Sequence, residues 1–134
     1  MRRIEEIRIE IEKYQAELET VIQGDDINFL IERGSLIASY HARICFLYAE
    51  AQKLARGKKG EEIANMVRTI AKEGHLSSKA QNALVDSIAT EEMFVVDWLD
   101  RLNSMCVHQL DYIRTLISKI KAEMQYQNFI EKGL

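Results

Sequence analysis

The sequence predicts an all-α fold of long antiparallel helices with coiled-coil character, a helical bundle completed by oligomerisation. Three observations predict it. First, Pro is absent and only six Gly occur among 134 residues, which disfavours a turn-rich β chain and favours long helices. Second, Ile4, Ile7, Ile11, Tyr14, Leu18 and Val21 recur at spacings of three and four, with Glu5, Glu6, Arg8, Glu12 and Lys13 between them. A narrow apolar seam with charged flanks is the pattern of a coiled-coil strand. Third, Val95, Leu99, Leu102, Cys106, Leu110, Ile113, Ile117, Ile120 and Met124 follow one another at the same spacings and share one helical stripe. An unbroken helix from Ser78 to Phe129 would be about 75 Å long. Such a helix cannot bury its stripe alone, so the rest of the chain or other copies must cover it.

The elements follow in order within a single expected domain, residues 1–134. A heptad helix lies within residues 1–24; its seam is compatible with pairing inside the chain or between chains. Ile4, Ile7, Ile11, Tyr14, Leu18 and Val21 are expected to form an oligomer interface. Gly24 is read as its stop and Asp25 or Asp26 as the cap of the next helix. The second helix spans residues 25–57. Its apolar positions include Ile27, Leu30, Ile37, Tyr40, Ile44, Leu47, Ala51 and Leu54, with Phe29 and Phe46 off that stripe. Gly34 within it marks either a close helix crossing or a bend. Arg56-Gly57-Lys58-Lys59-Gly60 reads as a loop. A short helix follows at residues 61–73 and Gly74 stops it. Ser78 with Gln81 reads as a capping box opening the long helix 78–130, whose weakest part is Ser87 to Glu92.

Composition bounds the chemistry. The net charge is −3 and the pI about 5.7, so no global attraction to nucleic acid or anionic membrane is expected. No apolar run approaches bilayer length, and MRRIEEIRIEIEK is too charged for a signal peptide. A cytoplasmic location without membrane contact is expected, with Cys45 and Cys106 as free thiols. No Gly-rich phosphate loop, Gly-x-Ser-x-Gly or pair of Glu-x-x-His segments is present. His41, His75 and His108 sit on three different segments. Neither an enzyme nor a cofactor is expected. His41 and Cys45 share a helix face as half of a zinc site would, but Cys106 and His108 lie two apart and diverge, so no metal is expected either.

Two sets of residues carry binding chemistry. Arg56, Lys58 and Lys59, and also Arg114, Lys119 and Lys121 with Tyr112, Tyr126 and Phe129 nearby, offer cations for phosphates and rings for stacking on single-stranded bases. Tyr126 is the leading stacking residue. His108, Asp111 and Arg114 lie three apart in turn and form either a helix-surface ion network or a contact to a partner or anion. Trp98, Met93, Phe94 and Met105 add apolar surface outside the main stripe, as core or as a subunit interface.

The run Val96-Asp97-Trp98-Leu99-Asp100-Arg101-Leu102-Asn103, with His108 to Ser118 and Lys121-Ala122-Glu123, resembles the C-terminal helix of small helical bacteriophage proteins. The layout over residues 35–129, including Ala49-Glu50-Ala51, is similar to the UvsY-type recombination mediators of T-even phages. That resemblance implies a ring-forming, non-enzymatic accessory protein of a bacterial host's cytoplasm that binds single-stranded DNA and helps load a recombinase. The chain departs from it in its acidic charge and in the added heptad helix. A second expectation is a phage inhibitor of a bacterial defence system. It would bind a host protein or sequester a small anionic signalling molecule, with Arg101, His108 and Arg114 as anion contacts. A third is a structural coiled-coil adaptor.

Overall fold

The computed structural model describes residues 3–74 and 77–133, without the side chains of Glu73 and Val85. His75 lies outside the described residues. Four helices are present and no strand occurs among the described residues: α1 (Ile4–Leu18), α2 (Ile27–Glu73), α3 (Ser78–Asp86) and α4 (Thr90–Gly133). α2 and α4 run antiparallel, since a side-chain carbon on Gly34 would meet Ile113 while Glu62 bonds the backbone of Ala89. α1 lies across both, antiparallel to α2 and parallel to α4. The core sits where the three meet and contains Ile7, Ile11, Leu18, Leu30, Ile37, Ile44, Leu47, Val95, Leu99, Leu102, Cys106 and Ile113.

The first helix corrects an expectation. Ile7 and Ile11 are 0% exposed and Leu18 2%, with Ile4 and Tyr14 packed alongside. The heptad seam is therefore covered by α2 and α4 of the same chain, so it does not offer an oligomer interface. Val21 lies outside the helix and is exposed. The helix stops at Leu18, six residues before Gly24, because its last carbonyls find other donors. Arg33 on α2 donates to Glu17 O at 2.7 Å, to Thr20 O at 3.4 Å and to the Thr20 hydroxyl. Its positive charge also suits the C-terminal end of the α1 dipole. Arg43 adds a forked bond to both Glu10 carboxylate oxygens, at 2.7 and 3.2 Å. Tyr14 packs against Tyr40 with ring centroids 5.0 Å apart and the rings tilted by 47°; burial, then the neighbouring Glu10 carboxylate, raises its phenol pKa.

The second helix corrects another. Residues 56–60 are not a loop: α2 runs 47 residues without interruption. Asp26 is its cap, accepting from Asn28 N at 3.0 Å and Phe29 N at 3.3 Å. Gly57 and Gly60 face open space, so each lowers helix stability by about 1 kcal/mol without breaking it. Lys58 reaches Glu62 at 3.9 Å, and Glu62 accepts the Ala89 N–H at 2.9 Å, which anchors the segment to the start of α4. α2 continues unbroken through Gly34, where an added Cβ would make ordinary contact with Ile113 at 3.6 Å. Gly74 ends α2 in the left-handed region at φ 73°, as expected.

The long C-terminal helix is interrupted at residues 87–89, within the stretch read as weak. Ala89 is buried with φ 52° and its carbonyl accepts from Met93 N at 2.8 Å. Ser77, not Ser78, caps α3, its hydroxyl accepting from Ala80 N at 3.2 Å.

Candidate functional site

α4 carries two stripes, one buried in the core and one that the chain covers only in part, at Trp98 and Met105. The inner stripe, Val95, Leu99, Leu102, Cys106 and Ile113, is buried against α1 and α2. Burial pushes the Cys106 thiol up to about 11, so it stays protonated, while Cys45 is an exposed free thiol. The stripe outruns its cover: Met124 is half exposed, and from Lys121 to Gly133 every residue is exposed. These 13 positions project about 20 Å past the core.

The outer stripe begins at Phe94 and continues through Trp98, Arg101, Met105, His108 and Tyr112, then Thr115, Lys119, Ala122, Tyr126 and Phe129. Every step is four or three residues, alternating, which keeps all of them on one face. Phe94 is 60% exposed, Tyr112 52%, Tyr126 66% and Phe129 73%. Phe94 and Trp98 pack with ring centroids 5.9 Å apart. The Trp98 indole N–H donates to Gln15 Oε1 at 3.1 Å, so the rim of this face is fastened to α1. Gln109 fastens it again, donating to Leu18 O at 2.6 Å. A shallow, open depression runs along the face, lined by α4 alone: Asp97, Asp100, Arg101, Ser104, Met105, His108, Gln109 and Tyr112. Ser104 presents a short side chain there between Arg101 and His108.

Of the residues named as anion contacts, Arg101 and His108 line this depression. Arg114 does not: it bonds Asp111 at 2.5 Å in an exposed i, i+3 pair. His108 takes no part in that pair, so the three-residue network reduces to two. The single-strand candidates divide. Arg56, Lys58 and Lys59 lie on α2 beside the start of α4, whereas Arg114, Lys119, Lys121 and Tyr126 lie towards its other end. With Gly34 against Ile113, about 23 residues of helix, or about 35 Å, separate the two groups. The half-site for zinc is engaged otherwise: His41 Nε2 lies 2.6 Å from Asn103 Oδ1, and the Cys45 thiol donates to the same oxygen at 3.4 Å. Among the described residues no group of three or more His, Cys, Asp or Glu is placed to hold a metal ion. No described helix is long and apolar enough to cross a membrane.

No family model, curated protein or solved structure matches this chain.

The outer stripe was only partly legible in the sequence. Trp98, Met93, Phe94 and Met105 stood out as surplus apolar surface, but Arg101, His108 and Lys119 dilute the heptad that links them to Tyr126. The usable signal was the alternating spacing itself, read without requiring every position to be apolar.

Proposed function

We propose that this protein is a non-catalytic helical scaffold that works by self-association, pairing copies of itself along the outer face of α4. The observation that carries the reading is the heptad stripe from Phe94 to Phe129, in which Trp98 and Met105 pack partly against the core while Phe94, Tyr112, Tyr126 and Phe129 stay exposed. A stripe of that period is built for a second helix, and exposed aromatic residues in a row mark an interaction surface. Covering it would also give the projecting turns past Ile120 a neighbour. This is the adaptor expectation moved to a different helix, since α1 is already packed inside the chain. The strand-binding reading asks one DNA segment to bridge two basic groups about 35 Å apart, and Lys58 and Arg114 are each paired with a carboxylate.

Sedimentation velocity over a hundredfold concentration range tests it. The parent chain is expected to form a discrete oligomer. Phe94→Glu and Tyr112→Glu, both at exposed positions, should shift it to monomer with helix content unchanged. Phe46→Glu, at a comparably exposed position on α2, should leave the oligomer intact. A parent chain that stays monomeric at the highest concentration would overturn the reading.

A further inference from the structure

His41 and Cys45 stand four residues apart on α2, so their side chains rise from one face with β-carbons about 5–6 Å apart. At that spacing a single helix can present two ligands to one metal ion. Sequence spacing alone left the pair without a third ligand, because Cys106 and His108 diverge. The facing helix supplies one of another type. His41 Nε2 lies 2.6 Å from Asn103 Oδ1, and the Cys45 thiol donates to that same oxygen at 3.4 Å. An imidazole nitrogen, a sulfur and an amide oxygen therefore converge from two helices. Cys45 is an exposed free thiol, and His41 and Asn103 are partly buried, so the cluster opens to solvent on one side.

We propose that His41, Cys45 and Asn103 form a binding site for a transition-metal ion of the zinc and cobalt(II) class, with water as the fourth ligand. The inference is independent of self-association. Ligand atoms about 2.0 to 2.3 Å from a tetrahedral zinc ion lie about 3.5 Å from one another. The separation of Cys45 Sγ from Asn103 Oδ1, 3.4 Å, already matches. The separation of His41 Nε2 from that oxygen has to widen by about 0.9 Å, a movement small against the reach of either side chain. As donors to Asn103 Oδ1, both atoms carry a proton. On binding, the thiol releases its proton to solvent, and the imidazole holds its one proton on Nδ1 while the Nε2 lone pair turns to the ion.

The donor set selects the ion. A thiolate with an imidazole favours zinc-like ions, whereas magnesium and calcium need sets of oxygen ligands. The amide oxygen of Asn103 is a neutral, weak ligand, so the thiolate and the imidazole supply most of the affinity and Asn103 adds the link between helices. Bound there, the ion ties α2 to α4 within the N-terminal half of each.

Cobalt(II) titrated into the full, reduced chain tests the proposal. A thiolate bound to cobalt gives a charge-transfer band in the near ultraviolet, and four-coordinate cobalt gives an intense visible spectrum. One cobalt per chain is expected, displaced by zinc. The band should vanish in Cys45→Ser and survive in Cys106→Val. Affinity should fall at least about tenfold in His41→Leu and in Asn103→Leu, and rise at least about tenfold in Asn103→Asp, which offers a charged oxygen in place of a neutral one. Asn103→Asp decides the matter if a weakened variant also loses helix content, because a gain in affinity requires a folded site. Bound zinc should also slow the reaction of Cys45 with a thiol reagent. Absence of the band at millimolar cobalt would overturn the proposal. So would a band unmoved by His41→Leu and Asn103→Asp, the mark of a surface thiol acting alone, or one that forms only between two chains, read by sedimentation of the cobalt-loaded protein.

Discussion

Replacing Ile11 by Ala tests whether the heptad of α1 belongs to the inside of the chain. The side chain is 0% exposed and lies in the core shared by α1, α2 and α4. The substitution removes three carbons beyond Cβ, worth about 2.4 kcal/mol of transfer free energy at about 0.8 kcal/mol each. A residual void of about 50 Å³ adds about 1.2 kcal/mol. The sum, about 3.5 kcal/mol, falls inside the usual range for such a change. With a urea slope of about 2 kcal/mol/M, the midpoint should fall by about 1.7 M. The decisive readout is the difference between parent and variant measured at two protein concentrations a hundredfold apart. A seam packed within its own chain gives the same difference at both. If the difference grows on dilution, or stays below about 1 kcal/mol, α1 pairs between chains and the assignment of its seam is refuted.

Three further outcomes follow from the contacts described. Arg33→Met should lower stability by about 2 kcal/mol, since it removes charge-assisted bonds to the Glu17 carbonyl in the last turn of α1 and to Thr20 just beyond it, and amide exchange should rise first in residues 14–20. Because the Cys106 thiol is raised by burial from 9.0 to about 11, the unfolded chain loses that proton first as pH climbs. Stability should therefore be constant below about pH 8 and fall as pH rises through 9 to 11; Cys106→Val should flatten that slope in denaturation curves, and in the native parent at pH 8 a thiol reagent should modify Cys45 alone. Titration of a labelled single-stranded oligonucleotide at two salt concentrations separates the strand-binding alternative: under the scaffold reading the anisotropy stays flat, whereas binding that weakens steeply with salt, and is lost in Lys58→Glu/Lys59→Glu, would favour counterion release on DNA.

Periodicity made most of the framework readable before any coordinates. The seams of α1 and of inner α4 are apolar at nearly every step, and Asp26 and Gly74 are local devices whose chemistry is complete within a few residues. What failed was decided across the chain. α1 ends at Leu18, where Arg33, fifteen positions downstream, reaches back to the Glu17 carbonyl and to Thr20, and Gln109 takes the Leu18 carbonyl. Gly57 and Gly60 read as a loop, yet no proline breaks the segment, and their helix penalty of about 1 kcal/mol each is matched in size by the charge-assisted bond from the Ala89 N–H to Glu62. Ser78 looked like a cap, but its neighbour Ser77 holds the helical start. The destination of the α1 seam could not be read at all, since an apolar stripe records that something covers it and not whose atoms those are.

The overhang of α4 beyond Ile120 fixes a rotational phase. Its helix is nucleated deep in the core, so the projecting turns need only elongation, which is far easier than starting anew. Each residue therefore transmits about 100° of azimuth from the anchored part to the tip. One residue inserted after Ile120 would swing Tyr126 and Phe129 by about 100° while every core contact stays in place. Seven inserted residues would return them to within about 20° of their heading and carry them about 10 Å outward. Direction and reach at the tip can thus be set independently by the length of a segment that the rest of the chain never touches.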